Sequence, residues 1–462
     1  MSKPTLTVVQ AHDGAVMDEV PLVDETSAGA MLAEAERLYR DRSQWLPAYR
    51  RKEILTRLIE LMRNEDEALA LLIAREGGKP LTDARVEVAR AISGVELAIE
   101  AIGQLKGEQI PMDLSAAGAG RLAFTQKEPI GVVLAISAFN HPLNLIVHQV
   151  VPAIAAGCPV IVKPAAYTPL SCLRFVELVR LAGLPEPWCR ACVCDRDTIG
   201  KLVADSRIAF VSFIGSAEVG WKLRSQLAAG TRCALEHGGA APVIVAADAD
   251  MEQAMPLLVK GGFYHAGQVC VSVQRVFVDN SIKSAFVDSL VEQVASLHVG
   301  DPTDAAMEVG PLIRPSEVDR VEAWVNEAVE QGAVCVLGGK RLDRYFFTPT
   351  VLVDPPVDAR VSSREIFGPV VCVYGYDDVQ DAIRQANALP VAFQAAVFTT
   401  NIDFAVHTAQ ALDASAVMVN DHTAFRVDWM PFAGRRTSGL GVGGIAYTVE
   451  DMMQDKLLVI RA

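Results

Sequence analysis

Apolar residues recur at helical spacing through the first hundred positions of the chain. Ser27 stands ahead of A-G-A-M-L-A-E-A-E-R-L-Y-R and predicts an N-cap, and I-L-T-R-L-I-E-L-M-R, from Ile54, keeps one apolar stripe. Glu76-Gly77-Gly78-Lys79-Pro80 breaks that pattern. From residue 130 the rhythm changes. G-V-V-L-A-I-S, from Gly131, is a continuous apolar run; a helical segment follows, then P-V-I-V-K from Pro159. Another helix is predicted over 170–183, with strands at 190–194, 208–214 and 232–236. A second alternating region starts near Pro242, with strands expected at 276–278, 334–337, 370–373 and 417–419. Apolar strands alternating with helices predict βαβ units and parallel sheets covered on both faces, hence an α/β chain of two domains in tandem.

At 462 residues and 51% hydrophobic, the chain can bury a large core. A formal charge of −14 argues against a nucleic-acid partner, which usually meets a basic face. The opening M-S-K-P-T-L-T-V-V-Q has no apolar leader core, so no secretory signal is expected. The most apolar segment, 143–162, contains His148, Gln149, Pro152, Gly157 and Pro159, and reads as core rather than a membrane span. Nine cysteines without a regular framework suit a reducing cytoplasm. Cys189, Cys192 and Cys194 have no second Cys/His cluster to complete a metal site, so no metal is expected and the run reads as a strand.

Four places could carry chemistry. The 208–214 strand ends at Gly215, and Ser216 opens a helix whose N–H groups can hold a phosphate, though the spacing is not G-x-G-x-x-G. Lys163 closes another apolar strand, at the end where open α/β sheets bind ligands. Glu236 ends a buried strand before His237 and two glycines, as a base or a paired structural carboxylate. Cys270 follows a Gly-Gln turn, as a nucleophile if its pKa is lowered or as a small buried hydrophobe.

In order, E-P-I-G-V-V, F-N-H-P-L-N, K-P-A-A-Y-T-P, F-I-G-S-A-E-V-G, L-E-H-G-G, A-G-Q-V-C, E-I-F-G-P-V and M-P-F-A-G-R-R-T-S-G resemble the aldehyde dehydrogenase superfamily, from about residue 25 onward. Cys270 follows Glu236 by 34 residues and Lys163 follows Asn140 by 23, as in that family. The resemblance implies a Rossmann-type NAD(P)-binding domain (1–111 and 129–236), an α/β catalytic domain (237–440) and a small β oligomerisation element (112–128 and 441–462) that builds a homodimer or homotetramer. It implies Cys270 as nucleophile, Asn140 and the Cys270 N–H as the oxyanion hole, and Glu236 as the base that hydrolyses the thioester. Lys163, Ala166, Gly215, Ser216, Ser137, Glu365 and Phe367 would bind NAD or NADP.

Ala166 stands where many NAD-preferring members carry glutamate, which predicts that NADP is accepted. Leucine is usual at His237, and tryptophan is common at Phe139. F-N-H-P-L-N and V-N-D-H-T-A-F-R-V-D-W resemble the lactaldehyde, succinic semialdehyde and phosphonoacetaldehyde subgroup. Arg90, Arg426 and His141 are then candidate contacts for an anionic tail, although Val269 replaces an arginine found in some phosphonate-using relatives. G-L-G-V-G-G, from Gly439, reads as backbone packing at a domain junction. The competing readings are a CoA-acylating dehydrogenase, a cofactor-free cysteine hydrolase using His265 or His237, and a non-enzymatic nucleotide-binding protein.

Overall fold

A computed structural model describes residues 4–461. Two α/β sheets organise the chain. The first has six strands in the order 439–440, 232–236, 208–214, 132–136, 160–163, 189–191, all parallel except 439–440. The second has seven, in the order 334–337, 350–353, 370–376, 273–279, 241–245, 394–398, 416–419, with 334–337 antiparallel. Their central strands are apolar because helices cover both faces: Val132–Ile136 is buried at every position.

Several local expectations are corrected. The first elements are not helical: Thr5–Val9 and Val16–Pro21 form an antiparallel hairpin, and its Val8 and Val20 pack on Val193. The first helix, Glu25–Arg40, is capped by Asp24, whose carboxylate accepts the Ser27 N–H at 2.7 Å, so Ser27 lies inside the helix. The strand read across the three cysteines stops at Ala191, leaving Cys192 and Cys194 beyond it, buried in a small core. Strands Thr350–Val353 and Gln394–Phe398 fall in stretches the periodicity did not mark.

Helix Leu81–Gln104 crosses helix Asn144–Ala156 at Gly94, where a Cβ would stand 3.1 Å from Val147. Leu55, Leu58, Val88, Val147 and Val150 are fully or nearly fully buried around that crossing, each apolar side chain contributing about 1.5–3 kcal/mol of transfer free energy. Helix Ile445–Asp451 joins this core through Ile445 and Val449. Of the C-terminal stretch, only Met453–Arg461 pairs with Arg121–Pro129, which also pairs with Gln109–Ile110 in a three-stranded antiparallel sheet. Ile445, Val449 and Met452 thus lie in the core around that helix crossing, while Gly443 bridges to Phe432.

Candidate active site

Cys270 sits on a loop between helix Met251–Phe263 and strand Val273–Asp279. That loop turns through three left-handed residues, His265 (φ 50°), Ala266 (φ 54°) and Gly267 (φ 69°). Only glycine fits at 267, because a Cβ there would lie 2.1 Å from the Gly368 carbonyl oxygen. Two non-glycine residues in this conformation cost about 1–3 kcal/mol each, and surrounding bonds hold them. Gln268, fully buried, donates its side-chain amide to the carbonyls of His265 (3.2 Å) and Pro311 (3.1 Å) and accepts the Ile313 N–H (2.9 Å). Its own carbonyl accepts from Asn140 Nδ2 at 2.9 Å. Thr423 Oγ1 donates to the Val271 carbonyl at 2.6 Å and ties the loop to the segment that carries Arg426.

Asn140 thus meets the Cys270 loop directly. One of its two amide hydrogens is taken by Gln268, and the other has no partner among the described residues. Behind it lies a buried network that the sequence did not announce. Lys79 and Glu87, both with side chains closed to solvent, form an ion pair. Glu87 also accepts the N–H groups of Leu143 (2.9 Å) and Asn144 (3.1 Å), which start the helix after Asn140. Burial opposes ionisation of Glu87, but Lys79 and His141 outweigh it and hold its carboxyl well below the usual range. His141 turns Nδ1 toward Lys79 Nζ at 2.7 Å, and burial holds it neutral, with a pKa lowered to about 4. Any contact of His141 with substrate is thereby limited to Nε2.

Glu236 ends strand Arg232–Glu236. A Cβ at Gly443 would come within 2.2 Å of its Oε1, so the glycine run after 439 makes room for this carboxylate. Burial raises the Glu236 carboxyl, and Arg426 opposes that shift. The Arg426 guanidinium lies on the Phe432 ring, 3.6 Å from the centroid, and its buried Nε has no partner among the described residues. Arg90 is committed differently from the free clamp expected of it. Its fork closes on Asp428, Nε to Oδ2 at 3.0 Å and Nη2 to Oδ1 at 2.8 Å. Asp428 also faces His148 Nε2 (2.7 Å) and Asn144 Nδ2 (3.3 Å).

The Cys270 thiol does not have the lowered pKa that a resting thiolate needs. Burial, helped by Glu365 and Glu236 and opposed by Arg426, pushes it up to about 12. No histidine is placed to change this: His237 donates Nδ1–H to the Gly215 carbonyl at 2.9 Å, and neither ring nitrogen of buried His265 has a partner among the described residues. His237 fills the space between Phe213 and Trp221, and Gly220 admits it, since a Cβ there would lie 2.0 Å from its ring.

A second set of residues gathers where three adjacent parallel strands of the first sheet end. Ser137 follows Val132–Ile136, Lys163 closes Val160–Lys163, and Gly215 and Ser216 follow Ile208–Ile214. The Ser137 N–H donates to the Lys163 carbonyl at 3.0 Å, while its buried hydroxyl has no partner among the described residues. Ser216 caps helix Ala217–Arg224 without a side-chain bond, so its hydroxyl and the first N–H groups are open to an anion. Ala166 is exposed on the same side. Glu365 reaches over from the second domain onto Gly238, where a Cβ would be 1.6 Å from its Oε1. That oxygen is buried without a partner among the described residues, and burial raises the carboxyl to about 8. Phe367, left-handed at φ 48°, packs edge-on against Phe139 at 5.8 Å. Unpartnered polar atoms in a strand-end crevice are the features a dinucleotide needs, so these residues fit one.

Asp428, Gln268 and the Lys79–Glu87 pair are the residues that the sequence reading missed. Asp428 lies inside the quoted V-N-D-H-T-A-F-R-V-D-W, but nothing there points to a partner 338 positions away.

Residues 1–458 match the family model described as the aldehyde dehydrogenase family. A 3-sulfolactaldehyde dehydrogenase of Priestia aryabhattai is 40% identical over 89% of this chain and 86% of its own length. Aldehyde dehydrogenase 21 from Physcomitrella patens, solved with the reaction product succinate, superposes with a TM-score of 0.96 at 34% identity, covering 100% of this chain and 95% of that one. A glyceraldehyde-3-phosphate dehydrogenase of Methanocaldococcus jannaschii, complexed with NADP, gives 0.94 at 33% identity with both chains fully covered. The chain belongs to the aldehyde dehydrogenase family.

Proposed function

We propose that the chain oxidises a small aldehyde with an anionic tail to the carboxylic acid, using NADP or NAD, through a thioester on Cys270. The observation that carries this reading is Arg426: a half-buried guanidinium with no carboxylate in ion-pair contact among the described residues, electrostatically coupled to both Cys270 and Glu236. A half-buried guanidinium whose Nε is closed to solvent without a partner among the described residues is costly, and an anionic substrate would supply the partner. The relatives named for 3-sulfolactaldehyde and solved with succinate both handle acids of this size.

In this mechanism the Cys270 thiol gives up its proton to solvent, and the sulfur attacks the aldehyde carbon as the thiolate. The oxyanion of the thiohemiacetal takes the second Asn140 amide hydrogen and the Cys270 N–H, each donor worth about 3 kcal/mol. When bound, the dinucleotide supplies the hydride acceptor that converts this adduct to a thioester. Lys163 and Ser216 would hold its adenosine and pyrophosphate, with Glu365 at the nicotinamide ribose. Glu236 then takes a proton from water, which cleaves the thioester and restores the thiol. This role favours hydrolysis over transfer to CoA. The exposed Leu457, Val459 and Ile460 on the terminal strand support a homodimer or homotetramer, and nine unpaired cysteines support a cytoplasmic setting.

A panel of aldehydes with NAD and with NADP tests the reading. NADP is expected to support turnover because Ala166 presents no carboxylate to a 2′-phosphate. An enzyme at least about ten-fold more efficient with NAD would contradict that expectation. Arg426→Ala is expected to raise KM for carboxylate-tailed aldehydes by about ten-fold or more and to leave neutral aldehydes little changed. Equal effects on both would reject the anion contact.

A further inference from the structure

Arg426 and Arg90, which act on each other, are not equivalent, and the difference bears on the charge of the substrate tail. Arg90 delivers Nε and Nη2 to the two oxygens of Asp428, so the pair is neutral as a unit. Asp428 is buried, and the partners that hold it, His148 and Asn144, add no charge: burial lowers the His148 pKa to about 4, leaving it neutral near pH 7. Arg426 has no carboxylate within ion-pair distance among the described residues. The charged or titratable groups facing Arg426 are Glu236, Cys270, His148 and the Arg90–Asp428 pair; those facing that pair further out are Glu87, Lys79, His141 and Tyr264. Glu87 is matched by Lys79.

We infer that the site offers a substrate tail one cation without a carboxylate bonded to it, Arg426, so that it selects aldehydes with a singly charged acid tail, carboxylate or sulfonate, against a dianionic phosphate, and that Asp428 sets this preference by neutralising Arg90. This rests on the anionic-tail reading of Arg426. A dianion would leave a second negative charge enclosed beside Glu236, unmatched by any cation. Asp428 is a positioning residue here: it acts on the substrate through Arg90.

The test compares kcat/KM for succinic semialdehyde, glyceraldehyde 3-phosphate and butanal across pH 5.5–8. The phosphate ester loses its second proton near about pH 6, whereas the carboxylate tail keeps one charge throughout. In the native enzyme the phosphate-to-carboxylate efficiency ratio is expected to fall about 30-fold or more between pH 6 and 8, following the monoanion fraction. Asp428→Asn frees Arg90 and is expected to raise that ratio at pH 8 at least ten-fold, a selectivity change that simple loosening of the fold does not produce. If succinic semialdehyde exceeds butanal but the ratio stays flat or climbs with pH, the charge count is overturned while the anion reading stands. If succinic semialdehyde and butanal are equal, both fall. The native pH series decides even where Asp428→Asn does not fold.

Discussion

Cys270→Ala is expected to lower aldehyde oxidation by at least about 10⁴-fold, with the cofactor still binding and Tm little changed. The change removes one half-buried sulfur from a loop held by Gln268, Asn140 and Thr423, so its structural cost is small. A variant that keeps more than a few percent of activity would mean that sulfur does not attack the carbonyl. The thiol's environment adds a pH signature. With its pKa pushed up to about 12, Cys270 in the free enzyme is almost wholly protonated at neutral pH. The thiolate fraction therefore rises about ten-fold per pH unit, and alkylation by iodoacetamide should rise in step from pH 7 to 9. Alkylation that levels off below pH 8 would show a thiolate already formed at rest.

Glu236→Gln gives the second large effect, of a different kind. Glutamine keeps the volume beside Gly443 but cannot take a proton from water. Hydride removal precedes that step, so stopped-flow absorbance is expected to show a burst of one reduced nicotinamide per active site. Steady turnover afterwards should be slower by about 10²–10⁴-fold. Intact-protein mass spectrometry should find the chain acylated. Loss of the burst itself would move Glu236 to a step before the thioester and disqualify it as solely the hydrolytic base.

These effects depend on residues whose types were readable in the chain and whose states were not. The apolar runs at 131–137 and 208–214 became central parallel strands, because a strand covered on both faces needs apolar residues at every position. Turn residues at their ends then put Ser137, Lys163 and Ser216 in one crevice. The hairpin before residue 22 escaped because the apolar positions of T-L-T-V-V and V-M-D-E-V-P are few and one face is exposed. Asp24 outcompeted Ser27 as the cap, since either residue type suits that position and only the helix start decides.

The order and spacing of motifs around Asn140, Lys163, Glu236 and Cys270 determined the family, because these residues sit at strand ends and turns whose separations along the chain the fold fixes. Tertiary structure alone decided the charges. Lys79 beside Glu87, Arg90 closed on Asp428 and Arg426 left unmatched are pairings of groups that meet only when the elements pack. The same packing strips water from Cys270 and raises its pKa. Ionisation depends on what surrounds a group in space, and sequence distance carries no record of that.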